Sequence, residues 1–412
     1  MTRTVMLLTT VDWTATARYA QGFAAASWRV EAFAPRKAPV ALSRYVARHH
    51  CYRPLRAIAS LRRALAEACP DLVVACDDRA VCQLLKLDAA EAPGSEIRAL
   101  IERSLGAPDR FATILSRPLS MAATADAGIR TAETVAIEDD TALAEGLARF
   151  GLPAVLKADG SWGGDGVMVA RTPAEALSAF HKLKRPASRL RSFVRAFKRR
   201  DAHFLLEAFT PTMGAVSLQR FVSGTPAASA FACWKGEVVA QLCYDVLVSD
   251  GAMGPPNVIR RVDCAQMEEA SRRVARHFGL SGIFGLDFIR DAAGDVHLIE
   301  INPRTTQGGT LPFGDRRDLP SALAACVARA PCGRRAAIET DIVAFFPGEW
   351  RRDPASPYLA RGFHNVPWDD PAVLKQCFAA LPHDPPLRKQ AIERLLASAP
   401  QHAIEELRPV LA

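Results

Sequence analysis

The 412-residue sequence has ten cysteines but no CxxC pair, and their positions (51, 69, 76, 82, 233, 243, 264, 326, 332 and 377) follow no regular framework. That spacing argues against a zinc ribbon and against a disulfide scaffold. The thiols read instead as reduced, mostly buried small hydrophobes of a cytoplasmic protein. No GxGxxG follows the first apolar run, which disfavours a dinucleotide site, and no GK[ST] closes a glycine-rich stretch, which removes the P-loop. No zinc finger, RRM-like aromatic pair or helix-turn-helix signature points to nucleic acid. None of the nine histidines forms a triad with a serine elbow, and no cysteine is placed like a nucleophile. The opening MTRTVMLLTTVDW carries one short apolar run, stopped by Asp12 and read as a first strand; neither a signal peptide nor a membrane span is expected.

What is present describes a folded globular chain. A length of 412 residues calls for two or three domains, and 49% hydrophobic residues can fill their cores. The net charge of +8 is unevenly placed, for HKLKRPASRLRSFVRAFKRR (181–200) carries nine Lys or Arg and no acid. Such a run serves as a solvated face, as an attractor for anionic ligands, or as a nucleic-acid patch, the last being the least expected here.

Along the chain, TVMLLTT (4–10), VEAFAP and DLVVACDD (71–78) read as strands separated by helix-like segments, the βαβ pattern of a small parallel sheet over about residues 1–110. Ligands favour the carboxyl ends of such strands, so Asp77 and Asp78 are either substrate contacts or caps of the next helix. Further on, LPAVLKADG and VMVAR flank SWGGDG as a glycine-rich hairpin. HFLLEAF, SLQRFVSG, AASAFACW and EVVAQLCYDVL then look like successive antiparallel strands, and CAQMEEASRRVARHFG (264–279) is an amphipathic helix. The tail from 341 offers one strand, DIVAFF, a Pro-rich stretch and a short helix, AIEELRPVL.

Two stretches carry chemistry. Glycines at 160, 163, 164 and 166 leave backbone N–H groups free to approach an anion, and Lys157 beside them can set a point charge on phosphate. Taken alone, the glycines are equally compatible with a plain mobile hairpin. The second stretch, GLDFIRDAAGDVHLIEINPRTTQGG (285–309), reads as a β-hairpin turning at Gly294. Alternation puts Glu300 and Asn302 on one face, within reach of Asp287 across the ladder. Two carboxylates and an amide oxygen suit Mg²⁺, with Mn²⁺ as the substitute, and the absence of His and Cys argues against zinc. Arg304 follows, with a rigid fork for a phosphoryl group or a substrate carboxylate.

LKADGSWGGDGV, QRFVSG and GLDFIRDAAGDVHLIEINPRTTQGG resemble, in order and spacing, the ATP-grasp superfamily over about residues 112–330. The resemblance implies a multidomain α/β and α+β chain. A small N-terminal parallel α/β domain (1–110) would precede an ATP-grasp domain (111–340) with a glycine-loop subdomain (about 146–215), and a C-terminal extension (341–412) would follow. It makes Lys157 a phosphate-binding lysine, Gly163, Gly164 and Gly166 the loop over the phosphates, and Asp287, Glu300 and Asn302 the magnesium ligands. Arg304 would face the transferred group. Arg117 stands where the family has an upstream phosphate lysine, and Gln219 and Arg220 where it commonly has an acid for the ribose. The implied activity is ATP-dependent, ADP-forming coupling of a carboxylate to an amine through an acyl phosphate. A phosphotransferase of the same fold and a non-catalytic nucleotide-binding or interaction protein are the alternatives. A homodimer is the default assembly.

Overall fold

A computed structural model describes residues 2–158, 166–185, 194, 197, 215–251 and 254–400. Strands β1 (Thr4–Leu8), β2 (Arg29–Ala34), β3 (Arg48–Cys51) and β4 (Leu72–Ala75) form an all-parallel sheet in the order β3-β2-β1-β4. β1 and β4 are apolar on both faces because both faces are covered. Met6 and Leu8 of β1 enter one core, while Val5 and Leu7 enter a second on the other side. β3, with the sequence RHHC, carries no apolar run and sits at the sheet edge, where His50 pairs with Glu31 of β2 at 2.7 Å.

A second sheet is small and antiparallel. β5 (Thr134–Ile137), β6 (Ala154–Ala158), β7 (Val167–Ala170) and β8 (Val216–Arg220) lie in the order β5-β8-β6-β7. Ala154 and Leu156 of β6, with Leu218 of β8, pack beneath Phe150 and Phe180 from the helices Asp140–Phe150 and Pro173–Lys184. By the two-residue period, Lys157 and Gln219 must look out of the opposite face.

The third sheet has seven strands: β9 (Thr225–Trp234), β10 (Glu237–Ser249), β11 (Pro256–Arg261), β12 (Gly282–Arg290), β13 (Val296–Asn302), β14 (Ile342–Ala344) and β15 (Phe363–His364). They lie in the order β13-β12-β9-β10-β11-β14-β15. The helix Ala265–Phe278 covers its back, where Met267, Val274 and Phe278 meet Phe231, Phe284 and Leu286. DIVAFF supplies β14, so the segment after residue 341 extends this same sheet.

That segment also wraps back onto the parallel sheet. Val373, Leu374, Cys377 and Phe378 share a core with Val5, Phe23 and Val30, and Asp369 and Asp370 accept hydrogen bonds from Tyr45 (2.5 Å) and Ser43 (2.5 Å). All ten cysteines are free thiols. Among the described residues no helix is long and apolar enough to cross a membrane. HFLLEAF, AIEELRPVL and most of the basic run fall outside the described residues.

Candidate active site

The acidic cluster is built by register. The β12–β13 turn is held by Asp291, whose carboxylate accepts from the N–H groups of Ala293 (2.9 Å) and Asp295 (3.0 Å), and Gly294 takes the left-handed conformation (φ +86°). From there the ladder brings Asp287 opposite Glu300 and Gly285 opposite Asn302. The amide of Asn302 donates to Asp287 at 2.9 Å. A β-bulge lies between these pairs and the turn, since Phe288 pairs with Leu298 and leaves Ile299 as the extra residue. The bulge frees the Ile299 carbonyl from the ladder, and two side chains of the small sheet use it.

Those side chains are Lys157 and Gln219. Lys157 Nζ donates to Ile299 O at 3.4 Å and stands 4.0 Å from Glu300. Gln219 Nε2 donates to the same carbonyl at 3.1 Å and to Thr134 Oγ1 at 2.8 Å. The small sheet thus faces the acidic hairpin across a seam, with Lys157 only 4% exposed at its centre. Arg117, at the start of the helix Arg117–Asp126, donates to Glu300 at 2.9 Å. Burial pushes the Asp287 carboxyl up, and the neighbouring Glu300 charge adds to the rise, to about 6. Burial also pushes Glu300 up, but the charges of Arg117 and Lys157 outweigh it and hold Glu300 below the ordinary glutamate range.

A third group arrives from the parallel sheet. Arg304 Nε donates to Asp78 at 3.0 Å and its terminal nitrogen to Thr305 O at 3.1 Å. Asp77, next to Asp78, plays a different part. It caps the helix Asp78–Ala90 through Ala80 N (2.9 Å) and ties down the end of β1 through Thr10 N (2.6 Å), Thr10 Oγ1 (2.8 Å) and Thr9 Oγ1 (2.9 Å). With both its oxygens engaged and 4% exposure, it fixes where Asp78 and Arg304 stand.

The loop after β13 lies on the front of the large sheet. A Cβ on Gly285 would meet Thr306 Cγ2 at 2.3 Å, so only glycine lets the loop seat there. Tyr19 holds the loop by donating to Thr306 O at 2.7 Å. Tyr244, Ala228, Asp287 and Glu300 form one row across four strands, which puts a buried phenol on the face that carries the acids. Neither the bulge at Ile299 nor the Tyr244 row was legible beforehand, because both depend on which strands pair. Gly285 was the one available signal, a glycine inside an apolar strand.

Comparison with known proteins bears on the fold. A family model described as an ATP-grasp domain matches residues 194–308. No curated protein matches the chain. Among solved structures, carboxyaminoimidazole ribonucleotide synthase from Aspergillus clavatus, complexed with ATP, is similar at a TM-score of 0.59 and 16% identity, covering 81% of this chain and 78% of that one. N5-carboxyaminoimidazole ribonucleotide synthetase from Thermus thermophilus is similar at 0.57 and 16% identity, with 81% and 80% covered. Biotin carboxylase from Campylobacter jejuni follows at 0.58 and 12% identity, with 79% and 71% covered. The chain carries an ATP-grasp domain. Its small sheet (β5 to β8) and its large sheet meet at the seam where Lys157 faces Glu300.

The remaining positions singled out in the ATP-grasp domain divide. Arg220 points away from the seam, pairing with Glu133 at 3.2 Å and lying over the Phe150 ring. Gly166 accepts from Ala158 N at 2.8 Å through its carbonyl, at the mouth of the glycine loop, while Gly163 and Gly164 lie outside the described residues. Among the described residues no group of three or more His, Cys, Asp or Glu is gathered for a metal. The donor set at the seam, two carboxylates and one amide whose oxygen is left for a cation, fits a hard ion such as Mg²⁺. Asp287 is the observation that tests this fit: it is a carboxylate raised by burial and by its acidic neighbour, which a divalent cation would compensate.

Proposed function

We propose that the protein is an ATP-dependent ligase that activates a carboxylate as an acyl phosphate and couples it to an amine, forming ADP. The observation that carries this reading is the convergence of Lys157, from the small sheet, and Arg117, from the helix Arg117–Asp126, on Glu300, which stands beside Asp287 and Asn302. Asp287, Glu300 and Asn302 would hold Mg²⁺, which when bound neutralises phosphate charge. Lys157 sets its ammonium on phosphate oxygens, and Arg117 exchanges Glu300 for phosphate when nucleotide enters. Arg304, oriented by Asp78, presents its fork to the substrate carboxylate and to the charge that develops as its oxygen attacks the γ-phosphorus and ADP leaves. The amine then attacks the acyl carbon and phosphate departs. No side chain becomes covalently linked, so rate enhancement rests on positioning and electrostatics.

The test is incubation with ATP, Mg²⁺ and pools of carboxylates and amines. Amine-dependent release of ADP and phosphate is expected. A stable phosphorylated product would move the reading to a phosphotransferase, and an absence of turnover to a binding protein. The double variant D287N/E300Q should lose turnover by about a thousandfold or more, in keeping with the loss of transition-state charge stabilisation. If it bound nucleotide and turned over like the wild type in Mg²⁺, the proposal would fail.

A further inference from the structure

The amino end of the parallel sheet opens into a cavity of about 510 Å³. It is walled by the residues before β1 and β4, the β9–β10 turn and the end of the helix Leu319–Ala328, and it lies at the opposite end of the sheet from Asp78 and Arg304. Four cations line it, namely Arg3, Arg103, Lys235 and Arg329, against a single carboxylate, Asp71. That carboxylate is committed, since it accepts from Thr4 N at 2.8 Å and from Arg3 at 3.4 Å. Arg103 is held in place by the Asp71 carbonyl at 3.0 Å, which leaves its charge uncompensated. Among the described residues no carboxylate lies within ion-pair distance of Arg103, Lys235 or Arg329.

Two of these cations occupy backbone positions that suit other residues. Lys235 takes φ +52° at the first place of a two-residue hairpin turn, where Asn, Asp or Gly is favoured. Arg329 takes φ +53° just past the helix end, where glycine is the usual residue. Only five non-glycine residues among those described have positive φ, and two of them put a cation at this one cavity. Strain at both, accepted where a neutral residue would relieve it, points to a task for the charges. The turn is firmly built, with Lys235 N donating to Ser281 Oγ at 2.9 Å and Gly236 N to Leu280 O at 2.8 Å. Trp234, part-exposed beside Lys235, gives the same cavity a flat indole wall.

We infer that this cavity is a second ligand site, which takes a small phosphate ester carrying a planar ring. The phosphate would be shared among Arg103, Lys235 and Arg329, and the ring would lie on Trp234. The cavity size falls in the range of small-molecule pockets.

Phenyl phosphate is the probe, titrated calorimetrically into the full-length protein with a nonhydrolysable ATP analogue and Mg²⁺ present in saturating amounts, so that the nucleotide site is filled. One equivalent is expected to bind. In the variant K235N/R329G affinity should fall about tenfold or more, the loss expected for removed charge-assisted bonds. The same variant should unfold at a temperature equal to or above the wild type, because both changes relieve backbone strain. Absence of binding to the wild type at about 10 mM, an affinity too weak for a specific site, would overturn the inference, as would equal binding to the variant. Inorganic phosphate binding as tightly as phenyl phosphate would overturn the assignment of the ring.

Discussion

The two ends of the parallel sheet handle charge in opposite ways. At the carboxyl end Arg304 meets Asp78, and beyond it Arg117 and Lys157 meet Glu300. At the amino end four cations line a cavity whose single carboxylate, Asp71, pairs with Arg3 alone. Buried ionic groups are costly unless matched, so the carboxyl end is a closed set that a ligand must rearrange. Exposed cations stay hydrated at small cost and project a field, so the amino end needs only an anion to complete it. The first arrangement suits chemistry, in which partners change during the reaction. The second suits binding.

The comparison breaks most visibly if the pairing at the carboxyl end is undone. In D78N, Arg304 keeps its charge but loses the partner that orients it. ADP release with the best carboxylate and amine pair should fall about 10- to 100-fold in kcat/KM, the scale of a misplaced catalytic group. Nucleotide affinity should stay nearly unchanged, because Asp78 touches none of the seam residues directly. A loss of nucleotide affinity as large as the loss of rate would show that the two halves of the site are not separable in this way.

Acid should reveal the burial of Asp287 beside Glu300 as a stability effect. Asp287 is raised to about 6 from an ordinary aspartate near 3.8, so the folded chain binds its proton more tightly than the unfolded chain. Its contribution therefore rises as pH falls through 6 and levels off below the unfolded value. The difference in melting temperature between wild type and D287N, measured without Mg²⁺, should change by a few degrees between pH 7 and pH 4, with the wild type gaining. Carboxylates remote from Asp287 titrate alike in both proteins and cancel. A pH-independent difference would mean that Asp287 is not held up in this way.

Much of this was legible in the sequence, and the division follows the range of the interactions. The β12–β13 hairpin is local, so Gly294, the alternation of Glu300 with Asn302 and the reach of Asp287 could all be read from spacing. Asp77 and Asp78 were legible as a pair at a strand end, but not their separate duties, which depend on Thr9, Thr10 and Arg304 brought in from far along the chain. β3 was hidden because an edge strand of RHHC shows no apolar alternation. The amino-end cavity was hidden for the same reason as the Ile299 bulge, since its cations come from four separate stretches that only the fold assembles.

Gln219 and Arg220 repeat the contrast on the scale of one peptide bond. Both stand where the ATP-grasp resemblance suggests nucleoside contact, yet successive strand residues face opposite ways. Gln219, 2% exposed, turns into the seam and shares the Ile299 carbonyl with Lys157, whereas Arg220 turns out to Glu133 and Phe150. Removing the amide in Q219A leaves that carbonyl with fewer donors in a buried place, at a cost of about 1–2 kcal/mol in stability, and weakens nucleotide binding through the loosened lysine. R220A removes only an exposed ion pair and a ring contact, worth about 0–1 kcal/mol, and should leave nucleotide affinity within about twofold. Binding of an ATP analogue to both variants decides the matter. If R220A proved the more damaging, β8 would have to present its other face to the nucleotide, and the seam would not be where ATP lies.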